Sequence, residues 1–591
     1  MGHVTGGRLG LTFQLNFPRF QCLNKMIAFT LSSSFRLNSK LNLPKVDGYS
    51  YKERQMSSNK DKYSIENTDY TVGQDNVEKW GFDVHNPVFA ISAGLIVIFL
   101  VATLLSDSAT AKALLDGLKW DIIGLFDWAF MWSANFFVVF CLVLAISPWG
   151  KIRLGGDTAK AEHSTLSWLA MLFSAGMGIG LMFWGVAEPA AYFTGWYETP
   201  LAVEALTPAA ADLALGATMY HWGLHPWAIY GVVALSLAFF TYNKGLPLTI
   251  RSVFYPLLGD RVWGWPGHII DIVAVLATLF GLATSLGLGA TQAAAGISHV
   301  FDVSGGTGLQ IVVIIGVTLL AIVSVVRGLE GGVKLLSGVN MIIAFFLLAF
   351  VAMLTLAVSM GTIPQTIGAY VTNIIPLSNP HGRPDEAWFQ GWTVFYWAWW
   401  MSWSPFVGMF IARISKGRTV REFVTAVLLV PTAVTIVWMS VYGGIAIDQI
   451  QNGVGALGGT GFTSVPLAMF EMFDELALGP ILSFVAIVLI LVFFITSSDS
   501  GSLVIDSITA GGKIDAPVPQ RIFWASIEGA IAIALLWIGG TEAIEALQAG
   551  AISTGLPFMF ILLLMCVCLL MGMRTEVNTK LPESDQKATS K

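Results

Sequence analysis

The chain has 591 residues, of which 55% are hydrophobic and 12% are charged, and its formal net charge is −6 at pH 7. Soluble domains carry about 25% charged residues, so this composition excludes a soluble globular protein and predicts an integral membrane protein. The charges are spread through the termini and loops, which excludes an extended nucleic-acid surface.

The N-terminal region differs from the rest of the chain. Residues 1–75 are polar, and the first 55 are basic and rich in Ser and Asn, with few acidic residues. Such a composition is typical of a transit peptide. The alternative, which we favour, is an upstream extension before a true start at Met26 or Met56. We predict a polar, partly disordered extension over residues 1–85.

Twelve apolar segments follow, each long enough for a membrane-spanning helix of about 20 residues. They lack the strict alternation that a membrane β-barrel requires. The segments are 88–106, 121–147, 167–195, 213–241, 267–295, 309–326, 334–359, 388–413, 419–446, 476–506, 519–539 and 546–573.

The loop charges indicate the orientation of these spans. With both termini in the cytoplasm, the outer loops hold only Lys112, Lys119 and Arg383, and the inner loops hold many more Lys and Arg residues. Cytoplasmic loops carry such an excess, so we predict that both termini lie in the cytoplasm. Segment 365–378 is too short and polar to span, and we expect an amphipathic helix on the outer surface.

The third span contains three glycines at alternate positions, Gly176, Gly178 and Gly180. Each costs a helix roughly 1 kcal/mol relative to Ala. Close helix packing is one explanation, but alternate glycines do not share a helix face. We therefore predict an unwound stretch that lines a cavity. Glu188 and Pro189 end this span, and we expect Glu188 to be an interfacial, structural residue rather than a gate.

The fourth span combines aromatic residues with two histidines. Trp222, Trp227 and Tyr230 would meet if Pro226 bent the helix between the two indoles. His221 and the residue four positions later, His225, have the spacing of metal ligands. No third ligand stands nearby, so we expect hydrogen bonds inside the helix bundle instead.

The eighth span contains the uncharged stretch Trp392–Trp403 (WTVFYWAWWMSW). Indole faces attract cations, so the stretch suits a quaternary ammonium group; an aromatic belt with helix packing is the alternative. Ser404-Pro405 predicts a helix break, an ordinary proline kink being the alternative. Interrupted helices at matching positions in two five-helix halves indicate an inverted repeat with a binding site between them.

The tenth span ends with hydroxyl side chains and a carboxylate. Thr496, Ser497 and the backbone carbonyls of Ser174 and Met177 would suit a small hard cation such as sodium, although such hydroxyls often bond their own helix. Asp499 is a functional candidate because it lies inside the membrane, or it caps backbone amides of the break.

The four cysteines have no metal-ligand spacing with histidine. Cys141, Cys566 and Cys568 lie in or beside apolar segments, so we expect them, with Cys22, to be buried free thiols rather than disulfides or a zinc site.

Four strings resemble the betaine/carnitine/choline transporter family: GMGIG at 176–180, HWGLHPWAIYG at 221–231, WAWWMSWSPFVGMFIARISKGR at 397–418 and TSSDSGS at 496–502. The resemblance covers roughly 85–575. It implies an all-α integral membrane fold of twelve transmembrane helices, with a five-plus-five inverted repeat (LeuT-type) and two extra N-terminal helices, in a homotrimer.

The corresponding organisation consists of six parts. They are the extension 1–85, two N-terminal helices at 86–150, the first repeat at 151–360, the outer connecting helix at 361–387, the second repeat at 388–573 and a short cytoplasmic tail at 574–591.

The resemblance also implies site residues. Those for substrate are Trp222, Trp227, Tyr230, Trp399, Trp400, Trp403, Gly176, Met177, Gly178 and Gly180, and those for sodium are Ser174, Met177, Phe493, Thr496 and Ser497. Choline-selective members tend to carry Asp at position 180. Glycine leaves room for a substrate carboxylate, so a zwitterion is favoured over choline. Leu282, one turn after Thr278, makes a second sodium site of the family's two-threonine form doubtful.

The expected function is import of a betaine-type quaternary ammonium or sulfonium zwitterion across the bacterial inner membrane by sodium symport, with sodium as coupling ion and without an enzyme cofactor. Proton coupling or sodium-independent exchange of carnitine- or choline-type compounds is the alternative. We also considered a membrane enzyme acting on choline-like head groups. The sequence contains neither a zinc motif nor a nucleophile constellation for such an enzyme.

Overall fold

A computed structural model describes residues 62–176, 178–327, 334–459 and 464–578. They belong to one compact unit that covers Asn59–Lys591. The described chain is mostly helical, and the one sheet within it is a two-stranded hairpin. Most of the predicted extension, Cys22 and the possible starts at Met26 and Met56 lie outside the described residues.

The hairpin precedes the first membrane helix. Strands β1 (Asn76–Lys79) and β2 (Phe82–His85) pair antiparallel. Trp80 and Gly81 form the turn with φ of 54° and 81°, the two positive values that a type I′ turn needs. The Phe82 ring packs edge-on against Phe523. The end of the extension is therefore folded, and the all-α prediction missed this sheet.

A buried arginine ties the hairpin region to the membrane helices. Arg251 Nη2 donates to Tyr70 Oη at 2.8 Å, and Nη1 lies 3.1 Å from His85 Nε2. Arg251 Nε lies 3.2 Å from Asp271 Oδ2. A buried guanidinium requires such partners, because an isolated buried charge is very unfavourable.

In the described part of the chain, sixteen helices of seven residues or more carry the fold. In chain order they are α1 (Asn86–Leu105), α2 (Ser108–Ile146), α3 (Thr165–Gly176), α4 (Ile179–Thr194), α5 (Pro208–Trp222), α6 (Leu224–Tyr242), α7 (Trp265–Phe301), α8 (Thr307–Arg327), α9 (Lys334–Leu354), α10 (Leu356–Leu377), α11 (Phe395–Ile414), α12 (Val420–Asn452), α13 (Ala468–Asp474), α14 (Gly479–Thr509), α15 (Val518–Gly539) and α16 (Ala543–Asn578).

Shorter helical segments join them. These are Ile65–Asn67, Pro148–Lys151, Pro200–Ala202, Arg251–Phe254, Tyr255–Leu258, Gly259–Trp263, Glu386–Trp388, Gly455–Gly459 and Gly540–Glu542, and the π-helical turn Phe389–Val394 leads directly into α11.

Within the described chain, eight helices are long and apolar enough to cross a membrane, or nine if the bent pair α9–α10 counts as one span. That count takes 518–577 as one 60-residue helix, although a short turn separates α15 from α16. The broken third span and α11, which is rich in Trp, Tyr and Ser, are not among these eight helices. A multi-pass membrane protein is thus confirmed, while the number twelve stays a prediction.

Burial separates central from peripheral helices. The most apolar window of Pro208–Tyr242 is 94% buried inside the protein, against 22% for Asn86–Leu105 and 33% for Thr307–Val326. Because an outer helix leaves its apolar side chains to lipid, we assign α1 and α8 to the periphery and α5–α6 to the centre. The largest buried side chains include several tryptophans of α4, α5, α6 and α11.

The third span is interrupted where the glycines predict it. Helix α3 ends at Gly176, Met177 is outside the described residues, and α4 begins at Ile179 after an extended Gly178 (φ −168°, ψ −122°). The fourth span is broken at Gly223 (φ −94°, ψ −126°) rather than bent at Pro226. Proline is tolerated in the first helical turn, where its missing N–H is not needed, and Pro226 lies there in α6.

The predicted break at Ser404-Pro405 is wrong. Helix α11 continues through Pro405 to Ile414. Proline leaves the carbonyl four residues back without its amide donor, here that of Met401. The Ser404 hydroxyl donates to that carbonyl oxygen at 2.7 Å. The side chain therefore replaces the lost backbone hydrogen bond.

The segment after α9 turns sharply. Helices α9 and α10 meet at an angle of 108° around Thr355 (φ −118°, ψ 35°). Helix α10 covers 356–377, the region in which we expected an outer amphipathic helix, and it contains Pro364 and Pro376.

Candidate functional site

A cavity lies where the break in the third span meets four other helices. It is lined by Gly178, Ile179, Gly180, Trp222, Ser285, Trp399, Trp400, Trp403 and Ser497. These residues belong to the break and α4, and to α5, α7, α11 and α14. Seven of the nine are residues that the sequence predicts for substrate or ion. Ile179 and Ser285 were missed.

Four indoles form the wall of the cavity. Trp399 and Trp400 are stacked, with ring centroids 4.7 Å apart and an interplanar angle of 15°. Trp222 stands edge-on to Trp400 at 4.9 Å, and Trp403 lies 6.5 Å from Trp400. Aromatic faces attract a cation placed within about 6 Å of the ring centroid. Rings this close touch each other, so the described arrangement is a closed aromatic cluster.

Two further predicted residues lie behind this wall. Tyr230 packs edge-on against Trp400 at 6.2 Å and lies 6.2 Å from Trp403. Trp227 packs edge-on against Tyr230 at 5.6 Å and is not among the residues that line the cavity. The structure therefore brings Tyr230 to the cluster and places Trp227 in the next layer.

The indole nitrogens differ in their partners. Trp222 Nε1 and Trp400 Nε1 donate to Glu188 Oε2 at 2.7 Å and to the His221 carbonyl oxygen at 3.0 Å. The buried Nε1 atoms of Trp399 and Trp403 have no acceptor among the described residues. Buried donors are almost always paired. Both residues line the cavity, so their N–H groups are candidates to donate to a ligand that carries acceptor oxygens.

Glu188 is the central residue of a buried polar network, and its predicted interfacial position is wrong. Its side chain is fully buried in α4, which continues to Thr194. Oε2 accepts hydrogen bonds from Trp222 Nε1 and, at 2.5 Å, from Tyr396 Oη. Oε1 lies 2.9 Å from both Tyr192 Oη and His221 Nδ1. The network was missed because its partners come from three helices, and only Tyr192 is a sequence neighbour.

The two histidines make hydrogen bonds inside the bundle, as predicted. His221 joins Glu188 through Nδ1 and Thr393 Oγ1 through Nε2, the second at 2.9 Å. His225 Nε2 lies 3.1 Å from Asn135 Oδ1, and its ring stacks on Trp397 at 5.1 Å. These contacts orient the part of α11 that carries the tryptophans.

Gly180 is in close contact with the indole wall. A β-carbon at this position would lie 2.5 Å from Trp222 Cη2 and 3.3 Å from Trp399 Cη2. Distances below 3.0 Å require one group to move. Packing in this structure therefore favours glycine at position 180, in addition to the room for a substrate carboxylate that the sequence suggested.

Three of the predicted sodium residues, Phe493, Thr496 and Ser497, lie on α14, and Ser174 lies on α3 before the break. A β-carbon at Gly178 would lie 3.3 Å from the Phe493 ring and 3.8 Å from Ser497 Oγ, so α14 packs against the break. Thr496 Oγ1 donates to its own helix, to the carbonyl oxygens of Val492 at 3.0 Å and Phe493 at 3.1 Å. The Ser174 side chain and Met177 lie outside what the structure describes.

Asp499 turns away from the break. Its Oδ2 accepts a hydrogen bond of 2.5 Å from Ser324 Oγ of α8. Its Oδ1 has no partner within the described part of the chain, so it caps no described amide of the break. Ser498 donates to Glu528 Oε2 at 3.0 Å on the same side of α14.

The three described cysteines, Cys141, Cys566 and Cys568, are buried free thiols, as predicted. None of them lines the cavity.

Known proteins resemble the chain over most of its length. A family model for betaine/carnitine/choline family transporters (BCCT) matches residues 87–578. Glycine betaine transporter 1 of Vibrio parahaemolyticus is 75% identical over 521 residues, which cover 88% of this chain and 100% of that protein. A glycine betaine/proline/choline/ectoine transporter of the same organism is 66% identical over 88% of this chain and 92% of that protein. A glycine betaine transporter of Acinetobacter baylyi is 42% identical, covering 85% and 76%.

Proposed function

The chain belongs to the betaine/carnitine/choline transporter family, and from that premise we propose that it imports betaine-type onium zwitterions by sodium symport with alternating access. Membership confirms the resemblance of the four strings and makes the protein a membrane transporter of quaternary ammonium compounds, not an enzyme. The proposed substrates are glycine betaine, dimethylsulfoniopropionate or a similar zwitterion.

One observation carries the substrate proposal: an uncharged aromatic cluster and free hydrogen-bond donors line the same cavity. The faces of Trp222, Trp399 and Trp400 suit the dispersed charge of a trimethylammonium or dimethylsulfonium group. The free N–H groups of Trp399 and Trp403 suit a carboxylate. The N-terminus of α4 also faces the cavity, and helix N-termini favour anions.

Tyr230 supports the proposed cage by packing against Trp400, and Trp227 supports Tyr230. Gly178 and Gly180 line the cavity, which brings backbone close to the proposed carboxylate position, and Gly176 ends the helix before the break. The roles of these glycines as substrate residues follow from the match to the family motif and from this placement. Met177, which lies outside the described residues, is proposed from the family motif alone.

Sodium coupling is proposed at the junction of the break with α14. The ligands would be the backbone carbonyls of Ser174, Met177 and Phe493 and the hydroxyls of Thr496 and Ser497. Packing of Phe493 and Ser497 against Gly178 supports this position. Thr496 donates to its own helix, and its oxygen keeps lone pairs with which to bind a cation.

A cation at this junction would hold the break in one conformation. Because Gly178 borders both the proposed ion site and the cavity, that conformation would favour substrate binding. Proton coupling or sodium-independent exchange of carnitine- or choline-type compounds is the alternative, and the hydroxyls around the junction argue against exchange.

The remaining architecture is proposed from family membership and loop charge. We propose twelve spans with a five-plus-five inverted repeat in 151–360 and 388–573, two additional helices in 86–150 and a connecting helix in 361–387. The protein would be a homotrimer in the lipid of the bacterial inner membrane, with both termini cytoplasmic and with no nucleic-acid partner.

Uptake into proteoliposomes tests the proposal. Labelled glycine betaine is presented with and without an inward sodium gradient, and excess dimethylsulfoniopropionate is added as competitor. We expect sodium-dependent accumulation that the competitor inhibits, with the label recovered as unmodified betaine. Accumulation that does not depend on the sodium gradient would reject the symport. A lack of accumulation both with and without the gradient would reject glycine betaine as the substrate.

A further inference from the structure

Among the described residues, the cavity lining contains no charged side chain, yet a fully buried carboxylate lies directly behind it. Trp222 separates the two. Its Nε1 donates to Glu188 Oε2, and its Cη2 at the far end of the indole faces Gly180 in the cavity wall. The side chain of Glu188 has no lysine or arginine among its hydrogen-bond partners or ion pairs in the described chain.

Counting hydrogen bonds assigns the charge of Glu188. An ionised carboxylate offers about four lone-pair sites, and a protonated one must also donate. Four donors surround Glu188: Trp222 Nε1 and Tyr396 Oη at Oε2, and Tyr192 Oη and His221 Nδ1 at Oε1. An ionised Glu188 satisfies all four contacts at once when His221 carries its proton on Nδ1.

His221 can satisfy this arrangement as a neutral imidazole. Its Nδ1–H donates to Glu188, and its Nε2 accepts from the Thr393 hydroxyl at 2.9 Å, the one partner that Thr393 Oγ1 has in the described chain. The Arg383 guanidinium is paired with Asp385 at 2.7 Å. A net negative charge therefore remains behind Trp222.

We propose that Glu188 is a positioning and specificity-determining residue, which acts through Trp222 and gives the aromatic cage a net attraction for cationic onium compounds of the choline type. Donation of an N–H or O–H to an anion shifts electron density toward the ring. The faces of Trp222 and Tyr396 thus become more attractive to a cation, since chains of hydrogen bonds polarise one another.

This proposal rests on the proposed transport function and extends its substrate class. A zwitterion brings its own negative charge, so the field of Glu188 acts on its two ends with opposite signs. A choline-type cation lacks that compensating charge and gains the full attraction. Glu188 would thereby supply the negative charge that choline-selective members of the family tend to carry as Asp at position 180.

The test compares ligands of equal shape and different charge. In proteoliposomes with labelled glycine betaine, inhibition constants are measured for choline and for 3,3-dimethyl-1-butanol, its neutral carbon analogue. We expect wild type to prefer choline at least tenfold. We expect Glu188→Gln, which keeps the size and removes the charge, to reduce that preference about fivefold or more, with a smaller change in betaine KM.

Two controls separate charge from packing. Glu188→Asp keeps the charge and shortens the side chain, so it should weaken all ligands by similar factors and retain the preference. Tyr396→Phe removes one hydrogen-bond donor and keeps the charge of Glu188, so it should also weaken all ligands by similar factors and retain the preference for choline. Equal inhibition by choline and its neutral analogue in wild type, or an unchanged preference in folded Glu188→Gln, would overturn the proposal.

The outcomes are distinct from failure of the transport function. Wild-type protein that accumulates no betaine would reject that function itself. If Glu188→Gln does not fold, as judged by gel filtration, Trp222→Phe decides, because it keeps an aromatic ring in the cage and removes the N–H that donates to Glu188. An unchanged preference for choline over its neutral analogue in Trp222→Phe would then count against Glu188.

Discussion

Gly180 and Trp222 are so close that a β-carbon on Gly180 would lie 2.5 Å from Trp222 Cη2. The opposite end of the same indole is held by Glu188. Trp222 is therefore fixed at both ends, and movement at either end shifts a wall of the cavity.

Gly180→Ala is expected to raise the KM for glycine betaine at least tenfold, because the new methyl group displaces Trp222 and then Trp399. Such overpacking typically costs about 1–3 kcal/mol. Gly94→Ala is the matched control, since no atom lies within 4 Å of a β-carbon there. The measurement is initial uptake rate against substrate concentration. An unchanged KM in Gly180→Ala would show that the indole moves freely.

Trp400→Leu should weaken betaine binding by roughly 2- to 30-fold, because one aromatic face contributes about 0.5–2 kcal/mol to a bound onium group. Trp403→Leu should have a comparable effect, since its free N–H is lost as well. Trp537, on α15, is 58% exposed, and Trp537→Leu therefore controls for the loss of a tryptophan outside the cavity. Binding can be followed by quenching of tryptophan fluorescence in detergent. Equal affinity in Trp400→Leu and the control would contradict the cage.

Ser497→Ala is expected to raise the sodium concentration that gives half-maximal uptake by fivefold or more, with little change in the rate at saturating sodium. The reason is the loss of one proposed oxygen ligand beside Gly178. Ser526→Ala, on an exposed face of α15, is the control. Sodium is titrated against N-methylglucamine at constant ionic strength. Identical sodium curves for the two variants would move the ion site elsewhere.

Ser404→Ala should lower the stability of the protein by about 1–3 kcal/mol, because the Met401 carbonyl loses its donor in a buried helix. The helix should then kink at Pro405. Thermal unfolding in detergent measures the effect, again against Ser526→Ala, which loses an exposed bond of the same kind. An equal melting temperature for both variants would indicate that Pro405 needs no compensation.

The hairpin region should make stability depend on acid. Burial, with Arg251 and His268 nearby, lowers the pKa of His85 from 6.5 to about 3. An unfolded chain therefore binds a proton that the folded chain excludes, and stability should fall as pH decreases from 6.5 toward 3. His85→Gln keeps an acceptor for Arg251 and should flatten this part of the pH profile of the melting temperature. Parallel profiles for the two proteins would contradict the assignment.

The sequence predicted most of the membrane helices, because runs of apolar residues can satisfy their backbone only as helices in lipid. The break at Gly176–Gly180 was also predictable, because glycines at alternate positions do not share one helix face and so are poorly explained by helix packing. The composition of α11 also pointed to its aromatic cluster. These features depend on residues that are neighbours in sequence.

The errors involve contacts between distant segments or local replacements of a backbone bond. Glu188 appeared interfacial because it precedes a proline, and its partners Trp222 and Tyr396 lie on other helices. Pro405 appeared to end a helix because the Ser404 hydroxyl was not considered as a donor. The β-hairpin was hidden in a region excluded for its polarity, although Trp80-Gly81 is a recognisable turn.

Helix α4 joins the two ends of the site in one rigid element. Gly178 precedes its first residue and borders the proposed ion position, and Glu188 lies ten residues later, about 15 Å along the axis. The proposed ion and the substrate would thus both contact the same helix. Thermodynamic linkage then requires reciprocity: any factor by which sodium tightens the binding of an onium substrate is the factor by which that substrate tightens the binding of sodium.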